Sequence, residues 1–382
     1  MSEAKPIGER GPGGSVPFPI FESATWAFEN TAELEAYLAN PSSHYFYTRY
    51  ANPTNDAAAR ALAALEGAEE ALLFSSGMGA ITSAVMTFVG AGDEALALRS
   101  LYGGTLRLLR EVLPRFGVRV SWFDPADALD AIRSASAQAK IVYFESPTNP
   151  VLEILDVAAI AASARERGLI SLFDGTFASP ANQKPLALGV DLVLHSATKF
   201  LGGHADVVAG AAAGSHALVD RVRATMKVFG TSLDPFAAFL MHRGMKTLDV
   251  RASRQNESAG RIAAFLAEHA RVRRVLYPGL PSHAGHAIAR RQMSGFGGML
   301  TFEVDGGLDG ARRVIDRFRV ILNAPSLGSV ESLASLPVLT SHHGFPPDEM
   351  RRAGVTDGMI RISVGVEPVD DLIADLARAL EP

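Results

Sequence analysis

The sequence predicts an α/β fold, with a mostly parallel central sheet in a large domain followed by a smaller C-terminal α+β domain. Three observations predict it. Short apolar runs alternate with helical patterns through the first two thirds of the chain, and glycine-rich or polar clusters stand where those runs end. At 382 residues the chain also exceeds what one ordinary core accommodates.

Residues 1–55 carry Pro12, Pro17, Pro19, Pro41 and Pro53 and an aromatic cluster at Tyr45, Phe46, Tyr47 and Tyr50. That composition describes an irregular arm that wraps something. The opening MSEAKPIGERGPGG lacks a signal peptide's apolar middle, which makes the cytoplasm the default compartment. From Asp56, DAAARALAALEG reads as a helix closed by Gly67, and ALLFSSGMGAITSAVMTFVGAG as strand, glycine turn and helix. Strands are expected at 95–98, 118–123, 140–145, 170–174, 191–195 and 207–211, most of them separated by helical patterns such as LRLLREVLPRFG and VAAIAASARERG. In such a sheet, ligands gather at the carboxyl ends of the strands. A long helical stretch near 234–270 leads to strands at 299–304, 320–323 and 360–364, with helices around 308–319 and 369–380. The expected units are an arm of 1–55, a large domain of 56–240 and a C-terminal domain of 241–382.

Composition excludes several functions. With 48% hydrophobic and 20% charged residues the chain is a folded one. A net charge of -5 and a pI near 6.1 leave no basic footprint for nucleic acid. No apolar run approaches the roughly 18 to 20 residues of a membrane span. Without cysteine, disulfides, thiolate metal sites and a cysteine nucleophile are absent. His283 and His286, and the adjacent His342 and His343, lack the carboxylate pattern of a zinc or iron site and read as loop or interface histidines, so no metal is expected.

Four polar clusters fall at strand ends. SSGMGA (75–80) joins a strand to a helix start, where glycine backbone and free amides favour an anion, although a tight turn has the same appearance. Asp174 closes the strand of LFDGTF, either to hold a protonated ring nitrogen or to cap the following turn. FESPTNP places Glu145 and Asn149 at a third strand end, beside a turn that proline alone would explain. In VDLVLHSATK, Ser196, Thr198 and Lys199 bring two hydroxyls and an amine to one point, and Lys199 is one of only six lysines. A lysine desolvated there has a lowered pKa and can condense with a carbonyl. Aldehyde, ring-nitrogen and phosphate partners together suggest pyridoxal 5'-phosphate.

With Asp174 lying 25 residues before Lys199, and with SSGMGA, LYGGT, ESPTNP and SATK in this order, the chain resembles the Cys/Met-metabolism family of pyridoxal-phosphate enzymes. That family includes cystathionine γ-synthase and γ-lyase, methionine γ-lyase and O-acetylhomoserine sulfhydrylase, and the likeness runs from YTRYANPT to IRISVGVE. The resemblance implies a fold-type I, aspartate-aminotransferase-like architecture and a homotetramer built as a dimer of dimers, with sites shared between two chains. It implies Lys199 as the lysine that carries the cofactor, Asp174 as the partner of the pyridine nitrogen, and Tyr102 as the ring-stacking aromatic that also serves as acid and base. Ser76, Gly77, Met78, Ser196 and Thr198 would hold the phosphate, with Thr176 and Asn149 also at the cofactor and Tyr47 and Arg49 reaching in from the neighbouring subunit. Arg361 would fork onto the substrate carboxylate with help from Asn149 and Ser326. Glu331 would face the distal amino group of cystathionine or a cysteine-like nucleophile. Phe46 stands where many γ-lyases place an acidic residue, and its ring favours a less polar substrate end.

The implied activity is γ-elimination or γ-replacement on sulfur amino acids or activated homoserine, most like cystathionine γ-lyase or γ-synthase. O-acetylhomoserine sulfhydrylase and methionine γ-lyase are alternatives, the latter disfavoured because LYGGT lacks its usual cysteine. An aminotransferase of the same fold, or a binder of the cofactor without turnover, would share Lys199 and Asp174. Three departures from the family pattern should reshape the pocket and shift specificity. Gly175 replaces an asparagine, Phe200 a tyrosine, and Ser329 the second glycine of SLGG.

Overall fold

The apolar runs between residues 70 and 214 assemble into one seven-stranded sheet in the computed structural model, which describes residues 11–381. The strands are β1 (Glu70–Phe74), β2 (Glu94–Leu98), β3 (Arg119–Phe123), β4 (Ala139–Glu145), β5 (Ile170–Asp174), β6 (Leu192–His195) and β7 (Gly210–Gly214). They lie in the order β1-β7-β6-β5-β4-β2-β3. β7 runs against its neighbours β1 and β6, and every other pair is parallel. Both faces are buried, since Leu72, Phe74 and Ala212 enter one apolar core while Ala71, Leu73, Ala211 and Ala213 enter another. This accounts for runs such as EALAL and LVLH, which are apolar throughout rather than alternating. Phe144 and Phe173 meet edge to face at 5.2 Å across β4 and β5, a pairing worth about 1 kcal/mol beyond its buried area.

Most strands match the expected spans to within a residue. β7 begins three residues late, at Gly210 rather than Val207, because its place is set by what it fits between. A Cβ on Gly210 would fall 2.0 Å from the carbonyl oxygen of Ser76, so only glycine passes that point. The helix expected from Asp56 starts earlier, at Pro53, with the Asn52 side chain accepting the Thr54 amide at 2.9 Å and Gly67 ending it at φ 70°. The segment read as irregular contains a helix, Thr31–Ala39, capped by Asn30 onto the amide of Glu33 at 3.0 Å. The expectations for MSEAKPIGER fall outside the described residues.

A second, five-stranded sheet forms the smaller C-terminal α+β domain: β8 (Val272–Leu276), β9 (Met299–Val304), β10 (Leu322–Asn323), β11 (Leu333–Ser335) and β12 (Met359–Ser363), in the order β10-β11-β12-β9-β8. Helices Gly307–Asp316 and Val369–Ala379 bury their apolar stripes against it, through Val314, Leu372 and Leu376 among others. The helical stretch at 234–270 is two helices, Pro235–Met245 and Leu248–Ala267. Arg361 sits in β12, opposite Ser335 of β11 and Thr301 of β9. The Thr301 hydroxyl donates to the Pro150 carbonyl at 2.6 Å, fastening this sheet to the loop after β4.

Candidate active site

The parallel strands of the large sheet deliver their following residues to one edge, where a cavity of about 600 Å³ opens. From the β1 end, Ser76 caps the helix Gly77–Phe88 by accepting the Gly79 amide at 3.0 Å. A Cβ on Gly77 would lie 2.9 Å from Cα of Ser196, so glycine is what lets this helix start meet the end of β6. After β2 comes Tyr102, whose exposed ring lies over Gly104, where a Cβ would fall 2.6 Å from ring carbon Cε1.

β5 ends in Asp174, buried and accepting hydrogen bonds from the Thr176 amide at 3.0 Å and the Tyr143 hydroxyl at 3.4 Å. Burial pushes its pKa up, with the Thr176 hydrogen bonds and the nearby His195 opposing. His195 is itself occupied, with Nε2 at 2.6 Å from Oε1 of the buried Glu66. From β6, Thr176 Oγ1 accepts the Ser196 amide at 2.9 Å, and the Thr198 hydroxyl is matched to the backbone of Ala209. Lys199 Nζ donates to Ser326 Oγ at 2.9 Å, and burial followed by the Arg361 charge lowers its pKa. Arg361 is buried, donates through Nη1 to Asn149 Oδ1 at 2.8 Å, and is drawn down to about 10 by desolvation.

Of the residues singled out in the sequence, Ser76, Gly77, Met78, Tyr102, Asn149, Asp174, Thr176, Ser196, Thr198, Lys199 and Arg361 line this one cavity, with Ser326 bonded to two of them. Phe46, Tyr47, Arg49 and Glu331 do not line it. Phe46 stacks on Tyr37 and Tyr50, while Arg49 lies over Tyr47 and Tyr50 and donates to the Lys227 carbonyl at 2.5 Å. Glu331 accepts the hydroxyl of Ser329. None of the three departures lines the cavity: Phe200 is packed in an apolar core, Gly175 lies against His195 and Val193, and the Ser329 hydroxyl donates to Glu331. Sequence reasoning left Glu145 without a role. It lines the cavity, and burial followed by repulsion from Asp174 pushes its pKa up to about 8. His342 lies in a turn, as read, but it is buried, and desolvation followed by the Arg361 charge drives its pKa down to about 4. Among the described residues no group of side chains suits a metal ion.

The donor set can be tested against the expected cofactor. Asp174 is a buried carboxylate with no ion-pair partner among the described residues, an arrangement that costs free energy until a cation arrives. An amine whose pKa is lowered by burial and the Arg361 charge stands at the next strand end, and a glycine-built cup of helix-start amides opens into the same cavity. Together they suit an aldehyde on a protonatable ring that also bears a phosphate, and the class they define is the fold-type I pyridoxal-phosphate enzymes.

The chain belongs to the Cys/Met-metabolism family of pyridoxal-phosphate-dependent enzymes, since residues 7–381 match the family described as "Cys/Met metabolism PLP-dependent enzyme". It is 41% identical to cystathionine gamma-synthase 1, chloroplastic, of Arabidopsis thaliana over 95% of its own length, and spans 65% of that protein. It is also 41% identical to L-methionine gamma-lyase of Pseudomonas putida, covering 97% of this chain and 93% of that one. Among solved structures, cystathionine gamma-lyase from Lactobacillus plantarum complexed with L-serine superposes with a TM-score of 0.91 at 38% identity, covering 97% of this chain and 96% of that one.

Proposed function

We propose that this enzyme catalyses γ-elimination or γ-replacement on sulfur amino acids or activated homoserine, most like cystathionine γ-lyase or γ-synthase. The observation that carries the reading is the convergence of Lys199, Asp174, Tyr102 and Arg361 on one cavity. Pyridoxal phosphate, when bound, supplies an aldehyde to hold the substrate's amino group and a ring that accepts electrons from its α-carbon. Asp174 would hold the ring nitrogen, and the amides of Gly77 and Met78 with the hydroxyls of Ser76, Ser196 and Thr198 would hold the phosphate. Thr176 and Asn149 would flank the ring.

Lys199 then removes the proton from the substrate α-carbon, a role that burial and the Arg361 charge favour by lowering its pKa. Ser326 Oγ steadies Nζ for that transfer. Arg361 takes the substrate carboxylate, with Asn149 holding one arm of its guanidinium and leaving the planar fork to match two oxygens. Tyr102, exposed at the cavity mouth, moves protons at the distal carbon and the leaving group. Tyr47 and Arg49 serve the cofactor phosphate of a neighbouring subunit, a role supported by their distance from the cavity of their own chain. In this reading the chain works as a cytoplasmic homotetramer, a dimer of dimers, divided into an arm of 1–55, a large domain of 56–240 and a C-terminal domain of 241–382. No helix among the described residues is long and apolar enough to cross a membrane.

Three observations bear on substrate. Glu331 would meet the distal amino group of cystathionine, yet it accepts the Ser329 hydroxyl and does not line the cavity. Phe46 lies in an aromatic stack away from the cavity of its own chain, and if it reaches a neighbour's site beside Tyr47 its ring would favour a less polar substrate end, which supports methionine γ-lyase chemistry as the second reading. LYGGT weighs against it, since it lacks the cysteine usual in methionine γ-lyases. The product mixture from cystathionine decides. Formation of 2-oxobutanoate or a replacement product supports γ-chemistry, whereas pyruvate alone, or amino transfer to 2-oxoglutarate, would overturn it.

A further inference from the structure

One buried carboxylate joins parts of the cavity that arrive from separate places in the chain. Glu145 closes β4 and is 6% exposed. Its Oε2 accepts the backbone amide of Tyr102 at 3.0 Å, and its Oε1 accepts that of Asn149 at 3.1 Å. Asn149 Oδ1 accepts Arg361 Nη1 at 2.8 Å, Arg361 Nη2 reaches the Ser326 carbonyl at 3.4 Å, and Ser326 Oγ accepts Lys199 Nζ at 2.9 Å. Hydrogen bonds, joined through Asn149, Arg361 and Ser326, therefore link Tyr102 to Lys199.

Glu145 takes no part in the proton transfers proposed above, and a carboxyl group is costly to bury. Its contacts indicate another task. Tyr102 is 48% exposed and is followed by Gly103 and Gly104, so its ring stands on a permissive stretch of backbone. On the other side, the Thr301 hydroxyl holds the Pro150 carbonyl, which fixes the Asn149 loop to the small sheet. The two oxygens of Glu145 span the gap between these pieces. We propose that Glu145 is a positioning residue: by holding the amides of Tyr102 and Asn149 at once, it ties the Tyr102 ring to the Asn149–Arg361 clamp. The tyrosine then reaches a substrate's distal end in register with the arginine that takes its carboxylate. The inference rests on the roles proposed above for Tyr102 and Arg361.

The test uses the cofactor-loaded enzyme and Glu145→Gln, which keeps the shape but turns an NH2 group toward one of the two amides. Glycine, an amino acid with no γ-leaving group, is titrated through the change in cofactor absorbance, while kcat and melting temperature are measured alongside. The variant is expected to retain its melt and its bound cofactor, to bind glycine about 10-fold more weakly, and to lose about 100-fold in kcat, the scale of a 1 Å misplacement. Adding Glu145→Gln to Tyr102→Phe should then cost far less in kcat than in the wild type, because the two act through one element. Glycine affinity and kcat like wild type, or strict additivity with Tyr102→Phe, would overturn the proposal. If Glu145→Gln does not fold, Tyr102→Phe combined with Arg361→Lys in the intact background tests the same tie. Coupling of at least about 5-fold in kcat is expected, and additivity refutes it. A wild type that turns over no sulfur amino acid would sink the functional reading, while glycine binding would still report on Glu145.

Discussion

Lys199 shows how much a single position depends on what surrounds it. Burial and the Arg361 charge both disfavour its ammonium form, so the amine gives up its proton more readily than an exposed lysine would. Lys199→Ala should remove both turnover and the visible absorbance that the bound cofactor lends the protein. A variant that kept either, followed by spectrum and steady-state rate, would move the site elsewhere. Gly175 is a second case. A Cβ there would lie 2.8 Å from His195 Cε1 and 3.1 Å from Val193 Cγ1, and the imidazole cannot retreat without loosening its 2.6 Å contact with Glu66. Gly175→Ala is therefore expected to destabilise the protein by about 1–3 kcal/mol, read as a lower denaturation midpoint in urea. An unchanged midpoint would mean that the ring has room to move. The lowered pKa of Lys199 was legible in the sequence, but the crowding at Gly175 was not, since there Gly175 was a missing asparagine and His195 one residue of a motif. The residues that crowd Gly175 stand 18 and 20 positions away and meet it because β5 and β6 pair.

At the scale of elements, legibility follows local content. β2 and β5 announce themselves as apolar runs, and the helix Pro53–Glu66 carries its own cap and terminator. β8 does not, because VRRVL has two arginines facing outward at an edge. β11 is three residues long and pairs with β10 and β12 only once the small sheet exists. The helix Thr31–Ala39 was hidden by the prolines on either side of it. Asp375, in the helix Val369–Ala379, illustrates a tie between elements that no local pattern signals. Burial opposes its charge, but the backbone amides of Ile321, Val320 and Arg319 at 2.9 to 3.1 Å, with Arg378, hold its pKa below the usual carboxylate value. A depressed folded-state pKa contributes stability that is present above the unfolded value, near 3.8, and is lost as pH falls through the folded one. Asp375→Asn should cost on the order of 2 kcal/mol near neutrality and flatten the loss of stability below pH 4. Urea melts at pH 7 and across the acid range would show both effects, and an acid limb as steep as wild type would refute the assignment.

For the whole molecule, the open question is where the arm acts. Tyr47 and Phe46 are exposed, and Arg49 lies against Lys227 and two tyrosines, away from the cavity of its own chain. If the arm completes a neighbour's site, Arg49→Ala should weaken cofactor retention. Co-expression with Lys199→Ala chains should also restore activity, because each mixed pair holds one site with both residues intact. Random mixing predicts about a quarter of the wild-type sites. No rescue in purified mixed oligomers would confine each site to one chain.

By itself, the sequence determined the chemistry on offer. The order and spacing of SSGMGA, LYGGT, ESPTNP, Asp174 and SATK identified the family, and apolar periodicity placed most strands, because both are written in residues close together along the chain. Tertiary structure decided what those residues do to one another. It put Glu145 between Tyr102 and Asn149, kept Phe200 in a core and engaged Glu331 with Ser329. It also left Phe46, Tyr47 and Arg49 away from the cavity of their own chain. The physical reason is range: burial, charge repulsion and backbone contact act between residues a few ångströms apart in space, and many of those residues, such as Tyr102 and Glu145 or Asn149 and Arg361, lie tens to hundreds of positions apart in sequence.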